Sequence, residues 1–184
     1  MFDKLVSNLA VLTAVIVAMV LVLSGFLLLA FAHEIEVFLI MLILALLSLL
    51  FKIPDRYSSI GGTDIGMVSV VMVASTQGAP MGLLFAVFVT VAGGRLINEG
   101  PQFTLASTLI HMLVAVISAF LVLEPSNFLF YTMAFVVGGH LVGAPTYIAL
   151  GNPSHTQLVF SFVNIIWNYA VLSAFGLPVL ELLA

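Results

Sequence analysis

The chain has 184 residues, 63% of them apolar and 7% charged, with four Lys and Arg against eight Asp and Glu and no cysteine. A soluble domain carries roughly 25% charged residues, so this composition belongs in lipid. Four basic residues exclude a basic nucleic-acid face, and the absence of thiols excludes disulfides and thiolate metal sites.

Residues 5–32 form the first apolar segment. It is longer than the roughly 7–15 residues of a signal-peptide core, so the Ala30-Phe31-Ala32 triplet is read as part of a retained anchor. Ala10, Ala14 and Ala18 recur at every fourth residue. Small residues at that spacing let a second helix approach closely, either as a docking strip for a partner subunit or as packing within the bundle.

The second segment, 37–51, ends at a polar stretch containing Lys52, Pro54, Asp55, Arg56, Gly61 and Gly62, the clearest break in the chain. Asp64 follows and suits a helix N-cap. The third segment, 65–75, is short. The turn Thr76-Gln77-Gly78-Ala79-Pro80 separates it from the fourth, 81–97. Such a pair is either a plain hairpin at the thin edge of a bundle or a broken element beside a cavity. Arg95 and Glu99 stand four apart and are expected to pair at the membrane surface.

The fifth segment, 104–123, carries His111. The sixth, 128–150, carries His140 and, two turns on, Tyr147. The seventh, 158–183, carries Asn164, Trp167 and Asn168. Ionisable groups at membrane depth face the interior of a bundle, so His140, Tyr147, Asn164, Trp167 and Asn168 are the candidate solute-binding set. The two asparagines, at i and i+4, share a face. Each residue also has a structural reading as interhelical glue.

Segments of this kind without the ~10-residue alternation of barrel strands give an expected fold that is all-α. It is a polytopic transmembrane helical bundle of six to seven helices, one integral membrane domain over residues 1–184, in the cell membrane. Seven crossings place Lys4, Lys52, Arg56 and Arg95 on one side and Glu34, Glu36, Glu124 and Glu181 on the other. The excess of Lys and Arg on inner loops then predicts an inner N-terminus and an outer C-terminus. No nucleophile elbow, P-loop or dinucleotide fingerprint is present, so neither an enzyme nor a cofactor is expected. No His-x-x-x-His or Glu-x-x-His spacing suggests a metal.

The run from Ile65 to Gly82, the helix ending Ala92-Gly93-Gly94, and the last helix with Asn164, Asn168 and Gly176-Leu177-Pro178 resemble the substrate-binding S-components of energy-coupling-factor vitamin transporters. They also resemble the related rod-shape-determining membrane subunit. The likeness runs from about residue 36 to the C-terminus. It implies an S-component-like core plus an N-terminal helix. Ala10, Ala14 and Ala18 would contact a membrane coupling subunit, and separate ATPases would supply the energy. The leading functional expectation is a membrane subunit that binds a small polar, vitamin-like solute for uptake. The alternative is a non-transporting scaffold that organises other membrane proteins. A weaker alternative is a small channel or an intramembrane enzyme.

Overall fold

The computed structural model describes Gly25, residues 35–57 and residues 62–183. The first apolar segment, with Ala10, Ala14 and Ala18, lies outside the described residues. The elements are α1 (Ile35–Tyr57), α2 (Gly66–Leu96), α3 (Pro101–Ser118), α4 (Phe128–Ala149) and α5 (Ser154–Val171); a π turn, Leu172–Gly176, then leads to α6 (Leu177–Leu183). No strand occurs among the described residues. Five stretches are long and apolar enough to cross a membrane, the last running from Ser154 to Leu183. The described part of the chain is therefore all-helical and consistent with a multi-pass membrane protein.

α2 is a hairpin. Straight, its 31 residues would extend for roughly 46 Å. Instead Gly78 leaves helical geometry at φ 83°, ψ 172°, a left-handed conformation that glycine adopts without a Cβ clash. Pro80 then opens the second arm, at a position where its missing N–H costs nothing. A Cβ placed on Gly82 would stand 2.9 Å from the Cα of Ala74, eight residues back, which a continuous helix forbids. The two ends of α2 also meet: Lys52 Nζ lies 3.7 Å from Asp64 at its start and 3.4 Å from a Cβ placed on Gly93 near its end.

The hairpin does not sit at the thin edge of the bundle. Residues 66–74 are all buried, with Val70, Val71, Val73 and Ala74 at 0% exposure. A helix that is apolar all round is one enclosed on every side. The first arm, 66–77, rises only about 18 Å and forms the central post. α3 packs most extensively against α2, and α1 covers another side of it.

Buried hydroxyls tie the helices across the core. Ser48 donates to Ser69 at 3.1 Å between α1 and α2, and the Thr90 and Thr108 hydroxyls share a 2.9 Å bond between α2 and α3. The π turn precedes Pro178, whose ring and missing N–H disrupt the regular ladder. Gly176 in that turn admits the Phe128 ring, whose Cε1 would lie 3.0 Å from an added Cβ.

The chain direction gives the bundle two distinct ends. At one lie the C-terminal turn of α1, both ends of α2, the start of α3 and the α4–α5 connection. At the other lie the Gly78 turn, the α3–α4 connection and the C-terminus, where Gln77 donates to the Leu183 carbonyl at 2.6 Å.

Candidate functional site

A cavity of about 350 Å³ occupies the first of these ends. Its walls are helix faces. α3 presents Phe103, Ser107, Ile110 and His111; α4 presents Gly139, His140, Gly143 and Tyr147; α5 presents Gln157, Phe160 and Asn164. Spacings of three and four residues put each set on one side of its helix. Lys52, Asp64, Met67 and Glu99 also line it. Two α4 glycines create the room. A Cβ on Gly143 would stand 3.5 Å from Ile110 Cδ1, and one on Gly139 would collide with the Met67 thioether.

His111 is 7% exposed. Its Nδ1 donates to the Ser107 carbonyl at 2.8 Å, a backbone group of its own helix. This leaves Nε2 as an acceptor directed away from that backbone. His140 uses its other nitrogen, donating from Nε2 to Asn164 Oδ1 at 2.7 Å. Tyr147 stacks on Phe103, centroids 5.6 Å apart and rings 3° from parallel, giving the cavity a flat aromatic wall. Gln157 is buried, with Oε1 accepting from Asn152 at 2.8 Å.

The asparagine pair does a second job. Asn164 Nδ2 donates to Gly62 O at 3.2 Å and Asp64 O at 2.8 Å, and Asn168 Nδ2 donates to Asp64 O at 2.9 Å and Asn164 O at 2.8 Å. These bonds fasten the segment preceding α2 onto α5. Asp64 itself accepts the Gly66 N–H at 2.6 Å while its other oxygen faces Lys52; the N-cap position belongs to Ile65, with no side-chain cap bond, and not to Asp64 as expected.

Of the five residues expected in the site, His140, Tyr147 and Asn164 line the cavity, and Trp167 and Asn168 do not. Trp167 turns to Phe51, edge to face at 5.5 Å, and its buried Nε1 has no hydrogen-bond partner among the described residues. Asn168 is fully enclosed behind Asn164. Lys52 needs a further correction. It is a 7%-exposed cavity residue, not a loop cation. Arg95 and Glu99 also fail to pair: the one ion pair among the described residues is Lys52–Asp64, and Glu99 accepts from Thr104 Oγ1 at 3.2 Å. Lys52, Glu99, Ser107 and Gln157 also line the cavity, and the polar-at-depth pattern does not select them. For Lys52 a signal existed, since it directly continues the apolar run 37–51 within one helical turn. Glu99 and Gln157 read from sequence as loop polarity. Among the described residues, no group of three or more His, Asp and Glu is arranged to hold a metal ion.

Comparison with protein-family models, with curated proteins and with solved structures finds no match.

Proposed function

We propose that this chain is the solute-binding subunit of a cell-membrane uptake system, S-component-like in organisation, which holds a small polar solute and passes it across with separate energising subunits. The observation that carries this reading is the cavity: about 350 Å³, the size of small-molecule sites, with polar groups converging on it from four helices. Burying such groups without partners is unfavourable by several kcal/mol in the extreme case, so a polar occupant supplies what the lining lacks. His111 and His140 offer hydrogen bonds, Phe103 and Tyr147 a flat face, and Asn164 a fixed wall. Trp167 and Asn168 support that wall from behind. On this reading Ala10, Ala14 and Ala18 dock a membrane coupling subunit driven by ATPases.

Native mass spectrometry of the gently extracted protein tests the proposal. A retained small-molecule adduct is expected, and it should disappear in Gly143→Leu, which fills the cavity. Loss of co-purifying membrane subunits in Ala14→Leu would identify the docking strip. The non-transporting scaffold is the second reading. It is favoured by the Asn164 and Asn168 amides being spent on backbone carbonyls of 62–64. A cavity that is empty in every preparation, with a protein partner retained, would put the scaffold ahead.

A further inference from the structure

The charged groups of the cavity are one cation and two carboxylates, and their needs are unequal. Lys52 is 7% exposed. Its charged partner, Asp64 Oδ2, lies at 3.7 Å, beyond the roughly 2.7–2.9 Å of a charge-assisted hydrogen bond. An ammonium carries three N–H donors, and among the described residues none of them is taken at hydrogen-bond distance. Asp64 divides itself between Lys52 and the Gly66 N–H. Glu99 has no cation within ion-pair reach among the described residues, and its partner is the Thr104 hydroxyl. A buried charge is stable only when paired and hydrogen-bonded, so Lys52 asks for an anionic acceptor. Glu99 is half-buried in the same lining, where its carboxylate can accept from a cationic donor.

Gly93 and Gly94, consecutive on α2, bring these two groups near one another. A Cβ on Gly93 would stand 3.4 Å from Lys52 Nζ, and a Cβ on Gly94 would stand 3.0 Å from Glu99 Oε2. Consecutive Cα atoms are about 3.8 Å apart, so the two charges are separated by no more than about 13 Å. Neither glycine has a side chain to come between them. The Phe103–Tyr147 stack, Ile110 and Phe160 offer apolar surface in the same cavity.

We infer that the solute is a small zwitterion of the amino-acid kind, its carboxylate accepting from the Lys52 ammonium and its protonated amine donating to the Glu99 carboxylate. This inference rests on the proposal that the cavity holds a solute. A purely anionic solute would bring its charge towards Asp64 and Glu99 with a single cation to offset it. A purely cationic one would leave the donors of Lys52 unmet.

The test uses the full chain in lipid nanodiscs and equilibrium binding of three matched sets: the proteinogenic amino acids, their decarboxylated amines, and their deaminated acids. At least one amino acid should bind about tenfold or more tightly than both of its halves, as expected when each end makes a charge-assisted contact. Glu99→Gln should erase the advantage over the acid, and Lys52→Gln the advantage over the amine. The wild-type comparison stands even if Lys52→Gln does not fold, and Glu99 is the more exposed of the two. An amine or an acid that binds as tightly as the amino acid overturns the inference, as does failure of every amino acid to bind. If native mass spectrometry still shows a retained solute of another class, the solute-binding reading survives that failure. An empty cavity removes both.

Discussion

His140 Nε2 and Asn164 Oδ1 stand 2.7 Å apart and join α4 to α5 at the cavity wall. Asn164 is the busier of the two. It accepts from His140 and Asn168 and donates to the carbonyls of Gly62 and Asp64. Removing a partner from a buried polar group costs about 1–3 kcal/mol for each group left unsatisfied. Asn164→Ala should therefore destabilise the protein by about 2–4 kcal/mol. His140→Ala leaves Asn164 Oδ1 still bonded to Asn168 and should cost about 1 kcal/mol. Unfolding in a mixed-micelle titration gives both values. Equal losses would mean that Asn164 does not fasten the segment before α2.

The hairpin makes a sharper prediction. Gly82→Ala forces a Cβ against Ala74, whose Cα lies 2.9 Å away and cannot yield as a flexible side chain would. Overpacking at such a contact costs about 1–3 kcal/mol, and the upper end is expected here. Gly138→Ala, on a helix surface with nothing within 4 Å of the added methyl, should be neutral or slightly stabilising, since alanine favours helix by roughly 0.5–1 kcal/mol over glycine. Thermal unfolding of the two variants side by side decides. Equal behaviour would sink the reversal at Gly78.

Sequence reasoning reached the helical segments because apolar runs of membrane length are written directly in composition, and it reached the Gly78 turn because Gly-Ala-Pro cannot continue a helix. His140, Tyr147 and Asn164 reach the cavity because polar groups at membrane depth turn inward. Trp167 and Asn168 also turn inward, but the sequence does not say which interior space is reached: Trp167 faces Phe51 and Asn168 lies behind Asn164. Lys52 and Glu99 are misread from the sequence. A charge at a segment end reads as solvated, and the long-range meeting of Lys52 with Asp64 and Gly93 exists only once α2 has folded back.

The Lys52–Asp64 pair should behave as a unit. Lys52→Met leaves the Asp64 carboxylate, 17% exposed, without its cation, and breaking a buried pair in this way costs about 3 kcal/mol. The double variant Lys52→Met/Asp64→Asn removes both charges and keeps an acceptor for the Gly66 N–H, so it should recover at least half of the loss. A double-mutant cycle on unfolding free energies measures this coupling. Additive effects would show that the 3.7 Å contact contributes nothing to stability.

The last prediction concerns sidedness. Lys52 is buried in the cavity lining and casts no vote as a loop cation, but Arg95 is exposed at the cavity end, and the C-terminal turn of α1, which carries Arg56, lies at the same end. Glu124 and Ser126 are exposed at the opposite end. The bias of Lys and Arg towards the inner side then places the cavity end inside and the α3–α4 connection, with the C-terminus beside the Gly78 turn, outside. The chain has no native cysteine, so single cysteines can be introduced without background. Arg95→Cys removes the charge that carries the prediction, so Asn98→Cys, exposed on the same connection, is the better reporter, paired with Ser126→Cys. In intact cells a membrane-impermeant maleimide should label Ser126→Cys and spare Asn98→Cys until the membrane is opened. The reverse pattern would turn the bundle over, giving the cavity an outward mouth and the C-terminus an inner position. Labelling of both from one side would contradict the two-ended bundle itself.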